Sequence, residues 1–257
     1  MNGLLERLAR GQGIEKPVAL VVAHPDDEVV GLGSRLACFD RLTLIHLTDG
    51  SPRDAADARR AGFEDRDAYA AARAAELEAA LQTLEVQARR IRYSVPDQET
   101  AYHLPEIVAR LRIDLAEVAA VFTHPYEHGH PDHDSAALAV RLAAPDRPCF
   151  EMAFYHAAPS GSRFGVFWPD PDSPEAEIHL SPDEQAMKCE ALACFATQQE
   201  TLGQFGVTTE RLRPAPDYDF TAPALPGAAL YEQWGFRETA ADWRSWAARA
   251  LGPACAA

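Results

Sequence analysis

The sequence predicts an α/β fold: a doubly wound, mostly parallel sheet with helices on both faces, followed by a C-terminal elaboration. Three observations carry that expectation. Short runs of branched apolar residues recur, as "PVALVVA" at 17–23, "RLTLIHLT" at 41–48, "RRIRYSV" at 89–95 and "AAVFTH" at 119–124. Each is too short for a core helix and apolar enough to be covered on both sides, as strands of parallel sheets are. Helical stretches alternate with these runs, and that order imposes right-handed crossovers that place helices on both faces of a Rossmann-like sheet. Third, the proline-rich stretch 213–228 reads as an irregular excursion rather than a linker. The 257 residues are therefore expected to form one domain, with a core over about 17–205 and the elaboration over 206–257.

The elements follow in order. The first strand, 17–23, runs into a helix expected over 27–39. After the second strand comes "DGSPRDAADARRAGFEDR" at 49–66, long for a connection in an α/β unit, where about 2–6 residues are usual. Such a loop is expected to be functional or mobile, with Arg59, Arg60 and Arg66 read as a solvated face. The Ala-rich segment 67–84 and the segment 104–118 read as the helices flanking the third strand. Beyond residue 145, "PCFEMAFYHA", "RFGVFWP" and "EIHL" read as extended segments of a later sheet or edge. The next helix opens with Ser181 as N-cap, Pro182 at the first helical position and Glu184 completing a capping box. The segment "ETAADWRSWAARAL" at 238–251 is again helical in pattern.

Composition excludes several classes of function. No apolar run approaches the roughly 20 residues of a membrane span. The start, "MNGLLERLARGQGIEKP", has neither an apolar signal core nor a small-residue cleavage site, so a cytoplasmic location is expected. Five cysteines without a Cys-x-x-Cys pair argue against a disulfide framework and against a thiolate zinc site. Thirty-nine acidic residues against 24 basic give a net charge of −15, which repels nucleic acid and anionic membranes. A small neutral or cationic molecule is the expected partner, and self-association is left open.

Two clusters carry chemistry. His24, Asp26, Asp27 and Glu28 lie at the carboxyl end of the first strand, where ligands bind in open α/β sheets, and the following helix dipole favours ionised carboxylates there. The second cluster, "VFTHPYEHGHPDHD", ends the fourth strand and holds four of the nine histidines. If strands one and four are neighbours, both clusters face one crevice. Together they offer nitrogen and oxygen ligands without thiolates, a set that suits zinc with three protein ligands and an open position, and that iron(II) also accepts. The plainer readings differ by residue. Acids at a helix start are ordinary caps, and Glu28 is read as structural. His46 is read as a core histidine, His124 and Glu127 as outside the ligand set, and Phe164, Phe167, Trp168 and Trp234 as packing before sugar stacking.

"AHPDDE" at 23–28 followed by "HPDH" at 130–133 resembles the PIG-L/LmbE-type deacetylases, zinc-dependent enzymes that remove N-acetyl groups from N-acetylglucosamine conjugates. "HLTDG" at 46–50, "RAAEL" at 73–77, "VPDQ" at 95–98 and "KCEALACFATQ" at 188–198 are similar to further family features. The resemblance implies His24, Asp27 and His133 as metal ligands and Asp26 as general base. It implies His130 as the group that stabilises the oxyanion or protonates the leaving amine, with Asp132 orienting it. Arg73 and Asp97 match positions that contact substrate hydroxyls. His128 stands where mycothiol-pathway members carry a tyrosine, and is expected as a substitute substrate contact. The implied activity is deacetylation of a small N-acetylated substrate. An amidase acting on a non-sugar acyl amide or thiol conjugate shares that chemistry. A non-catalytic sugar- or nucleotide-binding protein is the third reading; the missing Gly-x-Gly-x-x-Gly and the presence of Asp26 count against it.

Overall fold

The computed structural model describes residues 2–252. Nine strands are present: β1 (Val18–Val22), β2 (Leu42–Pro52), β3 (Ala88–Asp97), β4 (Ala120–Thr123), β5 (Cys149–Met152), β6 (Tyr155–Ala158), β7 (Gly161–Phe164), β8 (Ala176–His179) and β9 (Thr209–Pro214). The α-helices are α1 (Asn2–Ala9), α2 (Asp27–Leu32), α3 (Ala56–Arg60), α4 (Arg66–Thr83), α5 (Leu104–Asp114), α6 (Pro131–Ala143), α7 (Pro182–Ala193), α8 (Gln199–Leu202), α9 (Leu230–Gln233) and α10 (Ala240–Leu251). Seven strands form the central sheet in the order β3-β2-β1-β4-β5-β9-β8, and β6 with β7 forms a separate hairpin. The first five strands pair in parallel, while β9 runs antiparallel to both β5 and β8. Strand order therefore reverses between β1 and β4, which are direct neighbours, the condition under which the two motif clusters share one crevice.

Alternate residues of the buried strands point into two cores, which is what winds helices onto both faces. Leu20, Val22 and Leu44 face a core completed by Leu77 and Leu81 of α4 and Leu192 of α7. Ala19, Val21 and Ile45 face the other, closed by Leu104 and Leu111 of α5, Leu138 of α6 and Trp243 of α10. Among the described residues no helix is long and apolar enough to cross a membrane.

Several expectations are adjusted in detail. The helix expected over 27–39 divides into α2 and a 3₁₀ segment, Gly33–Cys38. The long connection 49–66 begins inside the sheet, because β2 continues to Pro52, and it then forms α3. Arg66 is not a free surface charge: its Nη2 donates to Asp49 Oδ2 at 2.6 Å and to the Ser51 carbonyl at 3.1 Å. The capping box at Ser181 and Glu184 is present. β9 has no counterpart in the expected strands. Its buried positions include Glu210 and Arg213, so the apolar period that announces a strand is broken by charges whose partners come from elsewhere.

Those charges make two buried clusters. Lys188 of α7 donates to Glu210 Oε1 at 2.6 Å and to the Val30 carbonyl in α2 at 2.7 Å, while Glu210 also accepts from Ser34. Arg213 donates to Glu151 at 2.8 Å and to Glu127 at 2.9 Å. Two carboxylates share one guanidinium there, and burial outweighs the arginine, pushing Glu127 up to about 8 and Glu151 up to about 7. A folded-state value above the unfolded one, about 4.3 for Glu, gives stability that is complete below the unfolded value and is lost as pH rises through the folded one. Glu127→Gln mimics the protonated form, so the variant should gain in denaturation midpoint relative to the wild type between pH 5 and 8. A difference constant over that interval would contradict the assignment.

Candidate metal centre

β1 and β4 deliver the two clusters side by side. The chain leaves β1 through Ala23 and His24, and leaves β4 through His124, so the crevice between these parallel neighbours collects both. α2 begins at Asp27 and α6 at Pro131, placing the acidic residues at helix starts. His24, Asp26, Asp27, His130, Asp132 and His133 are all buried.

His24 stands at the centre. Its Nδ1 lies 3.3 Å from Asp27 Oδ2, and its Nε2 lies 3.0 Å from Asp97 Oδ1 and 3.5 Å from Asp132 Oδ2. Burial lowers its basicity, but the three carboxylates more than offset this and hold the imidazole well above its usual range. Asp27 Oδ1 is 3.5 Å from His133 Nε2. Ligands at 2.0–2.1 Å around a tetrahedral ion are separated by about 3.3 Å, close to the two contacts Asp27 makes, and ligand atoms of His24, Asp27 and His133 lie within 4.8 Å of one another. Nε2 of His133 is also a buried nitrogen with no hydrogen-bond partner among the described residues. A buried nitrogen is rarely left so without a reason. The donor set fits a divalent ion.

His24, Asp97, His130 and Asp132 form a second group whose candidate ligand atoms lie within 4.8 Å of one another. Its hydrogen bonds argue against a cation there. His130 Nδ1 accepts the Asp132 amide at 3.1 Å as the N-cap of α6, so the proton of the neutral ring sits on Nε2 and that nitrogen has no lone pair for a metal. Burial and the adjacent His24 hold His130 well below its usual range, in the neutral form. The Asp132 carboxylate accepts from the amides of Gln98 at 2.6 Å and Thr100 at 3.1 Å, and from the Thr100 hydroxyl at 2.5 Å. This is the hydrogen-bonding side of the site. Asp97 faces His24 Nε2 there, which leaves Nδ1 for the metal side.

The placements refine several expected roles. Asp132 orients His130 as anticipated, but through its backbone amide; its carboxylate holds residues 98–100 instead. Arg73 is buried, donating from Nη2 to Asp26 Oδ2 and from Nη1 to the Gly50 carbonyl, both at 2.9 Å. Its guanidinium therefore positions Asp26. Burial outweighs Arg73 and raises the Asp26 carboxyl to about 6. Gly50 belongs to this arrangement: its φ is +68°, and a Cβ would meet Arg73 Nη1 and Pro25 Cδ at 2.9 Å. His128, expected at the substrate, has neither ring nitrogen free. Nδ1 pairs with Asp134 Oδ2 at 2.8 Å and Nε2 accepts the Ala224 amide at 3.1 Å, so the ring ties the 124–130 loop to the C-terminal segment. Glu28, read as structural, pairs with His46 at 3.1 Å.

His124 is the residue that sequence reasoning left outside. Its Nε2 lies 3.3 Å from Asp27 Oδ2 and its ring stacks on His133 with centroids 3.8 Å apart. The available signal was positional, since His124 closes β4 much as His24 follows β1. Gly129 permits the close approach of the 124–130 loop to β6, where a Cβ would stand 2.1 Å from the Tyr155 carbonyl oxygen. Gly129→Ala is accordingly expected to cost about 1–3 kcal/mol by overpacking. Chemical denaturation of variant and wild type checks this, and an unchanged midpoint would show that the loop yields freely.

A crevice at the strand reversal of a parallel α/β sheet here holds a histidine–carboxylate triad beside a second carboxylate and a proton-bearing imidazole, groups of the kind that hydrolytic chemistry uses. Residues 19–144 match the family model PIG-L, the GlcNAc-PI de-N-acetylases. Comparison with curated proteins finds no sequence match. Among solved structures, the zinc-inhibited form of teicoplanin deacetylase Orf2 superposes with a TM-score of 0.58 at 17% identity, covering 79% of this chain and 99% of that one. The A40926 pseudoaglycone deacetylase Dbv21 gives 0.59 at 18% identity, with 78% and 97% covered. The 4-carboxy-2-hydroxymuconate hydratase GalB of Pseudomonas putida gives 0.51 at 18%, with 79% and 97% covered. At these identities the likeness is one of fold.

Proposed function

We propose that the protein is a divalent-metal-dependent N-deacetylase that hydrolyses the acetamide of a small N-acetylglucosamine-type conjugate. The observation that carries this reading is the buried triad of His24, Asp27 and His133, whose ligand atoms lie within 4.8 Å of one another, with His133 Nε2 lacking a hydrogen-bond partner among the described residues. The match of residues 19–144 to a de-N-acetylase family model and the deacetylase activity named for two structural neighbours support it. Zinc or iron(II) suits the donors, and when bound it would supply polarisation of the amide carbonyl and acidification of a water molecule.

The remaining work falls to this chain's own residues. Asp26, held by Arg73, takes the proton of the attacking water as its oxygen bonds to the acetyl carbon. His130 presents its Nε2–H as a hydrogen-bond donor to the developing oxyanion and keeps that proton, while Asp26 passes the proton it took from water to the departing amine nitrogen as the C–N bond breaks. Acetic acid and the free amine result, ionising to acetate and ammonium, and Asp26 and His130 end in the protonation states in which they began. Asp97 and Asp132 keep His24 and the 98–100 segment in place around this sequence.

Metal-depleted protein reconstituted with zinc or iron(II) should bind about one ion per chain, the number that three buried ligands hold. It should release acetate from N-acetylglucosamine conjugates in preference to non-sugar acyl amides. His133→Ala should lose stoichiometric metal by elemental analysis. Full metal retention in that variant, or release of acetate by depleted protein, would overturn the assignment.

A further inference from the structure

The chain beyond residue 220 carries an exposed tryptophan to the mouth of this site. Trp234 is 43% exposed, one of four large hydrophobic side chains so placed among the described residues. Its ring centroid lies 5.4 Å from Tyr155 and 6.4 Å from Phe236. Tyr155 in turn lies 5.1 Å from His133, and Phe236 lies edge-on 5.1 Å from His130. His130 and His133 are themselves 5.3 Å apart, so the five rings close a circuit around one side of the site. Beyond Tyr155 the apolar surface continues through the half-buried Phe164. The circuit is held in place, because the His128 carbonyl accepts the Leu230 amide at 2.9 Å and the His128 ring accepts the Ala224 amide.

Core packing does not account for this arrangement, since Trp234 keeps much of its surface in water while touching two rings that lead to the chemistry. A large apolar face left exposed at a site mouth is covered when ligand binds. We infer that the Trp234–Phe236–Tyr155 rim is a subsite for an apolar group carried on the amine side of the scissile amide, as the aglycone of the amino sugar. The inference rests on the deacetylase reading, in which the acyl part is only a methyl group, so an apolar group that reaches the rim beside His130 and His133 is carried on the amine side. An alkyl chain and an aromatic ring share the required chemistry, because either desolvates the tryptophan face.

The test compares methyl, octyl and phenyl N-acetylglucosaminides with the metal-loaded full chain. kcat/KM should favour octyl or phenyl over methyl by roughly tenfold or more, expressed mainly in KM, as expected for binding energy gained by burying apolar surface. Trp234→Ala should reduce that ratio to near one, whereas Ile113→Ala, an exposed apolar residue on α5, should leave it intact. Preference for octyl over phenyl identifies an alkyl group, and the reverse an aromatic one. Equal kcat/KM for all three glycosides, or a preference that survives Trp234→Ala, would overturn the inference. If no glycoside releases acetate, the deacetylase reading fails. Calorimetric binding of the same glycosides to metal-loaded Asp26→Asn protein then decides the subsite: tighter octyl or phenyl binding that Trp234→Ala abolishes sustains it, and equal binding ends it.

Discussion

Asp26→Asn should retain metal and lose about 10²–10⁴-fold in turnover, the usual contribution of a positioned general base. The expectation follows from the division of labour between two adjacent aspartates. Asp27 turns towards His24, His124 and His133, and against burial the last two imidazoles hold its carboxyl well below the ordinary range, in the ionised form a metal ligand needs. Asp26 instead turns to Arg73. Asparagine keeps an oxygen for the Arg73 hydrogen bond, so the fold around the site should be undisturbed while the proton acceptor is gone. Acetate release measured alongside metal content separates the two functions. Wild-type turnover in the metal-loaded variant would remove Asp26 from the mechanism.

Lys188→Met should destabilise the protein by about 3–5 kcal/mol, because it strands the buried Glu210 carboxylate without its cation. The ammonium also caps the Val30 carbonyl near the end of α2, the helix whose start presents Asp26 and Asp27. The loss should therefore appear in metal affinity as well as in the denaturation midpoint. Lys188→Met combined with Glu210→Gln removes the unpaired charge and keeps an acceptor for Ser34, so it should recover much of the loss. A single variant as stable as the wild type would show that the pair does not hold α2 and β9 together.

The two predictions differ in how much of their basis the sequence already held. "HPDDE" and "HPDH" contain every residue of the triad and the base, and alternating strands and helices place both motifs at carboxyl ends of strands. That much was legible because each signal is local: a strand's apolar run, a proline and acids at a helix start, ligand types without cysteine. Lys188 was visible only as the head of a helix. Its partner Glu210 lies on a strand that has no apolar signature, because the strand's buried positions are filled by charges neutralised from other elements.

Within the site, too, position in sequence did not convey orientation. His124 and His128 lie four residues apart in one loop, yet one stacks on His133 and the other spends both ring nitrogens on Asp134 and Ala224. Asp132 was expected to orient His130; the contact between them runs from its backbone amide to His130 Nδ1, a consequence of where α6 begins. The sequence by itself determined the mostly parallel α/β class and the placing of two His/Asp motifs at strand ends, since period, caps and residue chemistry are properties of short segments. Only the tertiary structure decided which nitrogen of His130 keeps a proton, what Arg73 holds, and that a C-terminal tryptophan reaches the mouth of the site. The last two are contacts between segments about 50 to 80 residues apart, set by packing that no single segment encodes.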